Sequence, residues 1–329
     1  MSMFSIRESP APAVALEIAA DRVSAATLDW HGGKPVVSAH AVEPIAHGVL
    51  APSLTATNVR DRAALSTAVN RVLERMGRPR RIGLVVPDVV GKVSLVRFEK
   101  LPSKAQDLDQ LVRWQVRKSA PFPIEEAQVS YVPGVDAPDG HELIVSLARR
   151  NVVEEYEKVC ADGGAHAGLV DLATFNVVNA VLAGGDAPGA ATATGSKHDW
   201  LLVNVAADSA SIVVLRGPHL IFFRNRAADT DGTLADLVHQ SAMYYEDRLQ
   251  GGGFSRVLLA GGAGASDTAD VDQLRASIEE RLRTRVDAID PRTAAPLTDR
   301  ITASPVVLDS LAPLVGMLLR DRASAAVAS

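Results

Sequence analysis

One cysteine, Cys160, stands in 329 residues, so no disulfide can close within the chain and no cysteine metal cluster can be built from it. That usage fits a reducing cytosol. Long apolar runs are missing as well. No stretch approaches the roughly 20 residues that cross a bilayer, and Met1 to Pro12 offers one arginine, a glutamate and prolines where a signal peptide needs an unbroken apolar core. Membrane association is therefore expected only through partners. Neither sign of charge dominates: a net charge of −5 and a pI near 5.9 give no global attraction to nucleic acid or anionic lipid, leaving room only for local basic patches. Catalytic signatures are absent too. Gly33-Lys34 and Gly91-Lys92 lack both the upstream glycine and the following Ser or Thr of a phosphate-binding loop. His141-Glu142 has no second histidine at zinc-protease spacing, no Gly-x-Ser-x-Gly elbow occurs, and the eight histidines are scattered.

What is present is a repeat. Glu17 to Leu28 (EIAADRVSAATL) returns as Asn204 to Leu215 (NVAADSASIVVL), each copy reading as strand, Ala-Ala-Asp turn and strand. A glycine-containing turn follows each copy, Gly32-Gly33 and then Gly217-Pro218, and leads to a third apolar run. Two similar meanders thus open two halves of the chain, a strong constraint on the fold. With this length the chain is expected to form two lobes, each with its own core.

Helices and strands alternate, which predicts an α/β class. Asp61 to Met76 carries the apolar stripe Leu65, Val69, Val72 and Met76 of a helix that Gly77 stops, and Ile82 to Val86 reads as a buried strand. Between Val93 and Ala148 the order becomes strand, helix, strand, strand. Ser103 with Gln106 predicts a capping-box start for a helix through Trp114 and Arg117, ended by Pro121-Phe122-Pro123. Pro138 to Gly140 marks a turn between two strands, Asn151 with Glu154 predicts another capped start, and Asp171 precedes a helix to Leu182. Further helices are expected from Thr233 to Leu249, Asp270 to Arg283 and Val307 to Arg320, with strands at Val257 to Leu259 and Val286 to Ile289.

Taken in order, several segments resemble one family. They are Leu101-Pro102 and Pro121-Phe122-Pro123 around the capped helix, Leu147-Ala148-Arg149-Arg150 with Val152 to Tyr156, and Gly168-Leu169-Val170-Asp171. Gln240 to Tyr245, Leu258 to Gly262 and Val315 to Arg320 complete the set. The chain resembles the PilM family, cytoplasmic actin-like proteins of type IV pilus assembly, with FtsA more distant, from about Val14 to Arg320. The resemblance implies the actin-like ATPase fold, two lobes with an inserted small α+β subdomain. On that basis residues 1–12 form a flexible N-terminus, 13–92 the first actin-like subdomain, 93–150 the insertion and 151–183 a return to the first lobe. A linker covers 184–198, the second lobe 199–306, a helix packing back on the first lobe 307–322, and a tail 323–329.

In that fold each hairpin usually reads Asp-x-Gly: glycine lets backbone N–H groups approach phosphates, and the aspartates hold hydrated magnesium. Here the matching positions are Glu17 and Ala19, then Asn204 and Ala206, with Ala20, Asp21, Asp208 and Ser209 beside them. If the turns need a left-handed residue, each alanine costs about 1–2 kcal/mol. Asp21 and Asp208 read as ordinary turn residues before displaced metal ligands. Gly261, Gly262, Ala263 and Gly264 match the adenosine-side strand end, with a ligand-free tight turn as the alternative. Any ATP, with magnesium, is therefore expected to bind weakly and set shape rather than turn over, and no catalytic residue is assigned.

The resemblance further implies a groove between the first subdomain and the insertion that receives the cytosolic N-terminal tail of a PilN-like membrane protein. Arg113, Trp114 and Arg117 are the expected contacts, the alternative being cations that complement a helix C-terminus. The expected role is a scaffold, peripheral at the inner membrane through partners, that links the PilN-like protein to motor ATPases or a platform protein. An ATPase or small-molecule kinase of the same fold, a type II secretion platform and a cell-division scaffold are the alternatives. Division is disfavoured by an Ala/Ser-rich tail that lacks an amphipathic helix. Actin-like subunits polymerise through surfaces that a sequence does not mark, so homo-oligomers and filaments stay open.

Overall fold

The two repeats fold into matching meanders in a computed structural model that describes residues 12–137, 140–185, 199–228, 232–262 and 268–320. The expected flexible N-terminus up to residue 11, most of the linker, the tail, Pro138, Asp139, Ala263 and Gly264 lie outside the described residues. In the first meander β1 (Val14–Ile18), β2 (Arg22–His31) and β3 (Lys34–Pro44) pair antiparallel in sequence. The second comprises β9 (Asp199–Val205), β10 (Ser209–Arg216) and β11 (His219–Ala227). The repeat extends to single hydrogen bonds. Ala19 N–H donates to the Arg22 carbonyl at 2.9 Å and Ala206 N–H to the Ser209 carbonyl at 2.8 Å. Ile45 and Ala228 N–H, on the far ends of the third strands, reach the Asp21 and Asp208 carbonyls at 2.9 and 2.8 Å.

No residue from Ala19 to Asp21 or from Ala206 to Asp208 lies at positive φ. The turns therefore need no left-handed residue, and the alanine strain conditional on one does not arise. Each turn is tied along one edge and held by the third strand, a geometry that alanine adopts freely.

Parallel strands extend both meanders alike. β4 (Arg81–Val86) and β8 (His166–Leu172) give the order β3-β2-β1-β4-β8, and β12 (Arg256–Gly261) and β13 (Val286–Ala288) give β11-β10-β9-β12-β13. Parallel strands buried on both faces read as near-continuous apolar runs, which is how Ile82 to Val86 and Val257 to Ala260 appear. α1 (Arg62–Arg75) and α3 (Arg150–Asp162) cover one face of the first sheet, packing Leu65, Val72, Val152 and Tyr156 on Leu16, Ile18 and Leu84. α5 (Leu234–Leu249) and α6 (Thr268–Leu282) cover the second through Leu237, Val238, Tyr245 and Ile278. Between the sheets lies a layer of two helices, α4 (Ala173–Ala183) and α7 (Pro305–Leu318). α4 packs on Trp200 and Leu202 of the second lobe, and α7 on Ala15, Val37 and Val85 of the first. They cross at Gly316, where a Cβ would stand 1.6 Å from the Asn176 carbonyl oxygen.

The insertion is a three-stranded antiparallel sheet in the order β5-β7-β6, with β5 (Gly91–Phe98), β6 (Ala127–Ala137) and β7 (Gly140–Arg149). α2 (Ala105–Val116) covers one face through Val112 and Val116. Two expected caps are not formed. Lys104, not Ser103, stands at the N-cap of α2, and it makes no side-chain bond. α3 begins at Arg150 directly after β7 ends, so Asn151 is already helical and Glu154 pairs with Lys158. Thr233 does form a capping box, with Asp236. The chain also returns to the first lobe sooner than residue 307. Val37 N–H donates to the Pro296 carbonyl at 2.8 Å, Thr298 N–H to the Val37 carbonyl at 3.1 Å, and Ala295 is buried with the first lobe's core.

Candidate functional site

Glu17 and Asn204 occupy equivalent places at the ends of β1 and β9, on the strand faces turned toward the layer between the lobes. Each is taken up by the protein's own groups. Glu17, 5% exposed, accepts from Ser24 Oγ at 2.9 Å and lies 3.4 Å from an Arg22 guanidinium nitrogen. The same guanidinium reaches Asp21 at 3.2 Å. Burial pushes the Glu17 carboxyl above its usual range, and the Arg22 charge opposes that rise. A carboxylate clamped to a guanidinium is a poor ligand for magnesium, which demands near-ideal octahedral oxygens. Asn204 carries no charge, and its amide donates to Thr174 Oγ1 at 2.8 Å. As arranged, these groups do not fit a magnesium site.

Sequence reasoning missed the hub between them. Asp88, in a short 3₁₀ turn after β4, is 4% exposed. It accepts from Thr174 N–H at 2.9 Å, from the Thr174 hydroxyl, and from Ser211 Oγ at 2.7 Å. Asn225 donates to Ser211 Oγ at 2.9 Å. Asp88 and Thr174 precede the second lobe in the chain, and Ser211, Asn204 and Asn225 belong to it, so one buried carboxyl joins the two. Burial raises its pKa, and the hydrogen bonds resist the rise. The available signal was Pro87-Asp88 directly after the buried apolar run Ile82 to Val86, where a charge has no surface reason to be. Asp208 lies close by. Burial, with Asp88 and Asp21 as neighbouring charges, pushes its carboxyl up to about 6, and its Oδ2 is buried without a hydrogen-bond partner. Ser209 Oγ lies 3.4 Å from the other oxygen.

At the expected adenosine side, Gly261 and Gly262 both adopt positive φ. Gly261 pairs with Val205, and a Cβ there would stand 1.9 Å from the Val205 carbonyl oxygen. Strand pairing alone therefore requires that glycine.

A cavity of about 610 Å³ lies between the insertion, the first lobe and the β10–β11 turn. Ser130, Ile144 and Ser146 face it from β6 and β7, Phe175 from α4, and Pro218 and Leu220 from the second lobe. Strand alternation assigns the two faces of the inserted sheet. Val129, Val145 and Leu147 pack with α2, and their neighbours Ser130, Ile144 and Ser146 turn the other way. Arg113 and Trp114 are on α2 and Arg117 directly follows it in a 3₁₀ turn, so the structure sets them behind the sheet and none lines the cavity. Arg113 pairs with Asp109 at 2.8 Å, and Trp114 is 68% exposed. The acid that does face the cavity is Asp171. Burial lifts its carboxyl to about 6 against the Leu172 N–H, which donates to it at 2.8 Å, and the Arg320 charge.

A solved structure shares this architecture. The structure of a "PilM-PilN type IV pilus biogenesis complex" superposes with a TM-score of 0.78 at 18% identity, covering 95% of this chain and 99% of that one. A Bacteroides thetaiotaomicron protein with an actin-like ATPase fold follows at 0.48 and 9% identity, covering 89% and 96% of the two chains. The ethanolamine utilization protein EutJ from Carboxydothermus hydrogenoformans gives 0.47 and 13%, covering 95% and 90%. No curated protein matches the sequence. The family model described as type IV pilus assembly protein PilM matches residues 15–248, most of the sequence, and the chain belongs to that family.

Proposed function

We propose that this protein is a cytoplasmic actin-like scaffold of type IV pilus assembly, and that its cavity receives the cytosolic N-terminal tail of a PilN-like inner-membrane protein. The observation that carries the reading is the cavity itself: an apolar space walled by the insertion, the first lobe and the second, wide enough for a few side chains of an extended peptide. Family membership and the likeness to a PilM–PilN complex support the choice of partner. Bound there, the tail would keep the protein peripheral at the membrane and link it to motor ATPases or a platform protein. No described helix is long and apolar enough to cross a membrane.

The nucleotide cleft, on this reading, is degenerate. Arg22 neutralises Glu17, and Asn204 replaces a charge with an amide. An ATPase or kinase of the same fold would need both positions free. Calorimetric titration with the N-terminal tail peptide of a PilN-like protein from the same genome tests the proposal. Micromolar or tighter binding, abolished by Ile144→Arg in the cavity wall and kept by Trp114→Ala behind the sheet, is the expected result. Absence of heat with the unsubstituted protein would sink it.

A further inference from the structure

The face of α2 that points away from the inserted sheet has no part in the cavity, yet it has a distinct chemistry. Residues 91–119 hold seven Lys and Arg against three Asp and Glu, in a chain whose net charge is −5. Trp114 sits at the outward pole of the helix, opposite the buried Val112 and Val116, and is 68% exposed. Arg117 and Lys118, one turn on, are exposed beside it. Lys92 reaches the same end of the helix from β5, its Nζ donating to the Ser119 carbonyl at 2.6 Å. Lys100 and Lys104 stand exposed at the other end.

We propose that this face rests on an anionic lipid surface. An indole with an apolar ring and a polar N–H is suited to the headgroup region, and Lys and Arg around it meet lipid phosphates. The cavity lies behind the sheet, and neither Trp114 nor Arg117 nor Lys118 lines it. One large exposed aromatic with cations dispersed around it matches a fluid anionic bilayer better than a shaped partner. Each cation contributes about fivefold to partitioning, so three or four give weak binding that acts once another contact holds the protein near the membrane. The inference does not rest on the tail-binding reading.

Two measurements on the full chain test it. Sedimentation with phosphatidylcholine vesicles, with and without phosphatidylglycerol, is expected to show binding only to the anionic ones, reversed by salt. Arg117→Glu with Lys118→Glu should lower the partition by roughly tenfold or more, and Trp114→Ala should lower it further. Anchoring the protein by a hexahistidine tag to nickel-chelating lipid removes the affinity limit. Brominated acyl chains should then quench emission in the unsubstituted protein more than in Trp114→Phe. Equal quenching in the two, or vesicle binding indifferent to the charge reversal, overturns the proposal and leaves the face to an acidic protein surface. Tail-peptide titration of the same variants separates the two readings: it should be unchanged whichever way the vesicle result falls.

Discussion

At the scale of single residues, the layer between the lobes gathers buried carboxyls, Glu17 paired with Arg22 and Asp88 held by neutral donors. Asp88 accepts three hydrogen bonds and has no counterion among the groups bonded to it. Asp88→Ala leaves two hydroxyls and an N–H facing nothing and should destabilise by about 3 kcal/mol. Asp88→Asn keeps an acceptor oxygen and offers N–H groups that rotatable hydroxyls can receive, so it should stay within about 1 kcal/mol; urea unfolding of both variants measures the gap. Asp171 and Asp208 give a pH signature. Their folded pKa values, near 6, lie above the unfolded value of 3.8. The folded state therefore binds more protons between those values, and stability from these groups falls as pH rises through 6. His40 acts in the opposite sense, because burial and Arg22 depress it to about 4. The Asp171→Asn, Asp208→Asn double variant isolates the acids: relative to the unsubstituted protein, its melting temperature should gain more at about pH 7.5 than at about pH 5. An equal difference at both pH values would remove the burial argument. Little of this was legible in the sequence. Glu17 and Asn204 stood out because a repeat aligned them, but Asp88 has no counterpart in the repeat and becomes visible only when Thr174 and Ser211 meet it.

At the scale of elements, the strands and helices were largely written in the apolar periodicity, and the errors concentrate at their ends. A Ser-x-x-Gln or Asn-x-x-Glu spacing is a cap only where the chain has a free residue before the helix. β7 runs into α3 with no such residue, since Arg149 closes one element and Arg150 opens the next. Likewise the turn glycine that the hairpins lack is needed only in a left-handed turn, and neither hairpin has one. Which sheet face carries α2 could not be read from residues 103–119 alone. It depends on the alternation of β6 and β7 against two different partners, and this is why the cationic helix was expected at a groove although none of its residues lines the cavity. The crossing of α4 and α7 carries its own prediction. Gly316→Ala would drive a methyl into the Asn176 carbonyl, and parting the helices should cost about 3 kcal/mol, read as a lowered urea midpoint. Gly316→Ala with unchanged stability would mean that the helices do not touch there.

At the scale of the whole molecule, two lobes of one topology meet through helices that belong equally to both. A nucleotide commonly bridges such lobes, but here Asp88, Thr174, Ser211 and Asn204 already do so with side chains. Adding magnesium and ATP should therefore leave the melting temperature and the phosphate background unchanged. A shift of several degrees, lost in Gly262→Val, would restore the nucleotide to the account. The duplication fixed this architecture in the sequence, because two Ala-Ala-Asp hairpins placed far apart demand two equivalent sheets. How the sheets face each other was legible only through the family resemblance, since the return of α7 to the first lobe leaves no mark in its apolar periodicity.

That return has a consequence for how the protein is made. α7 supplies Leu311, Leu314 and Val315 to the sheet that begins with β1. While the chain emerges from the ribosome, the first lobe thus waits with one side of its sheet incomplete until the second lobe and then α7 have followed it, and is finished only after them.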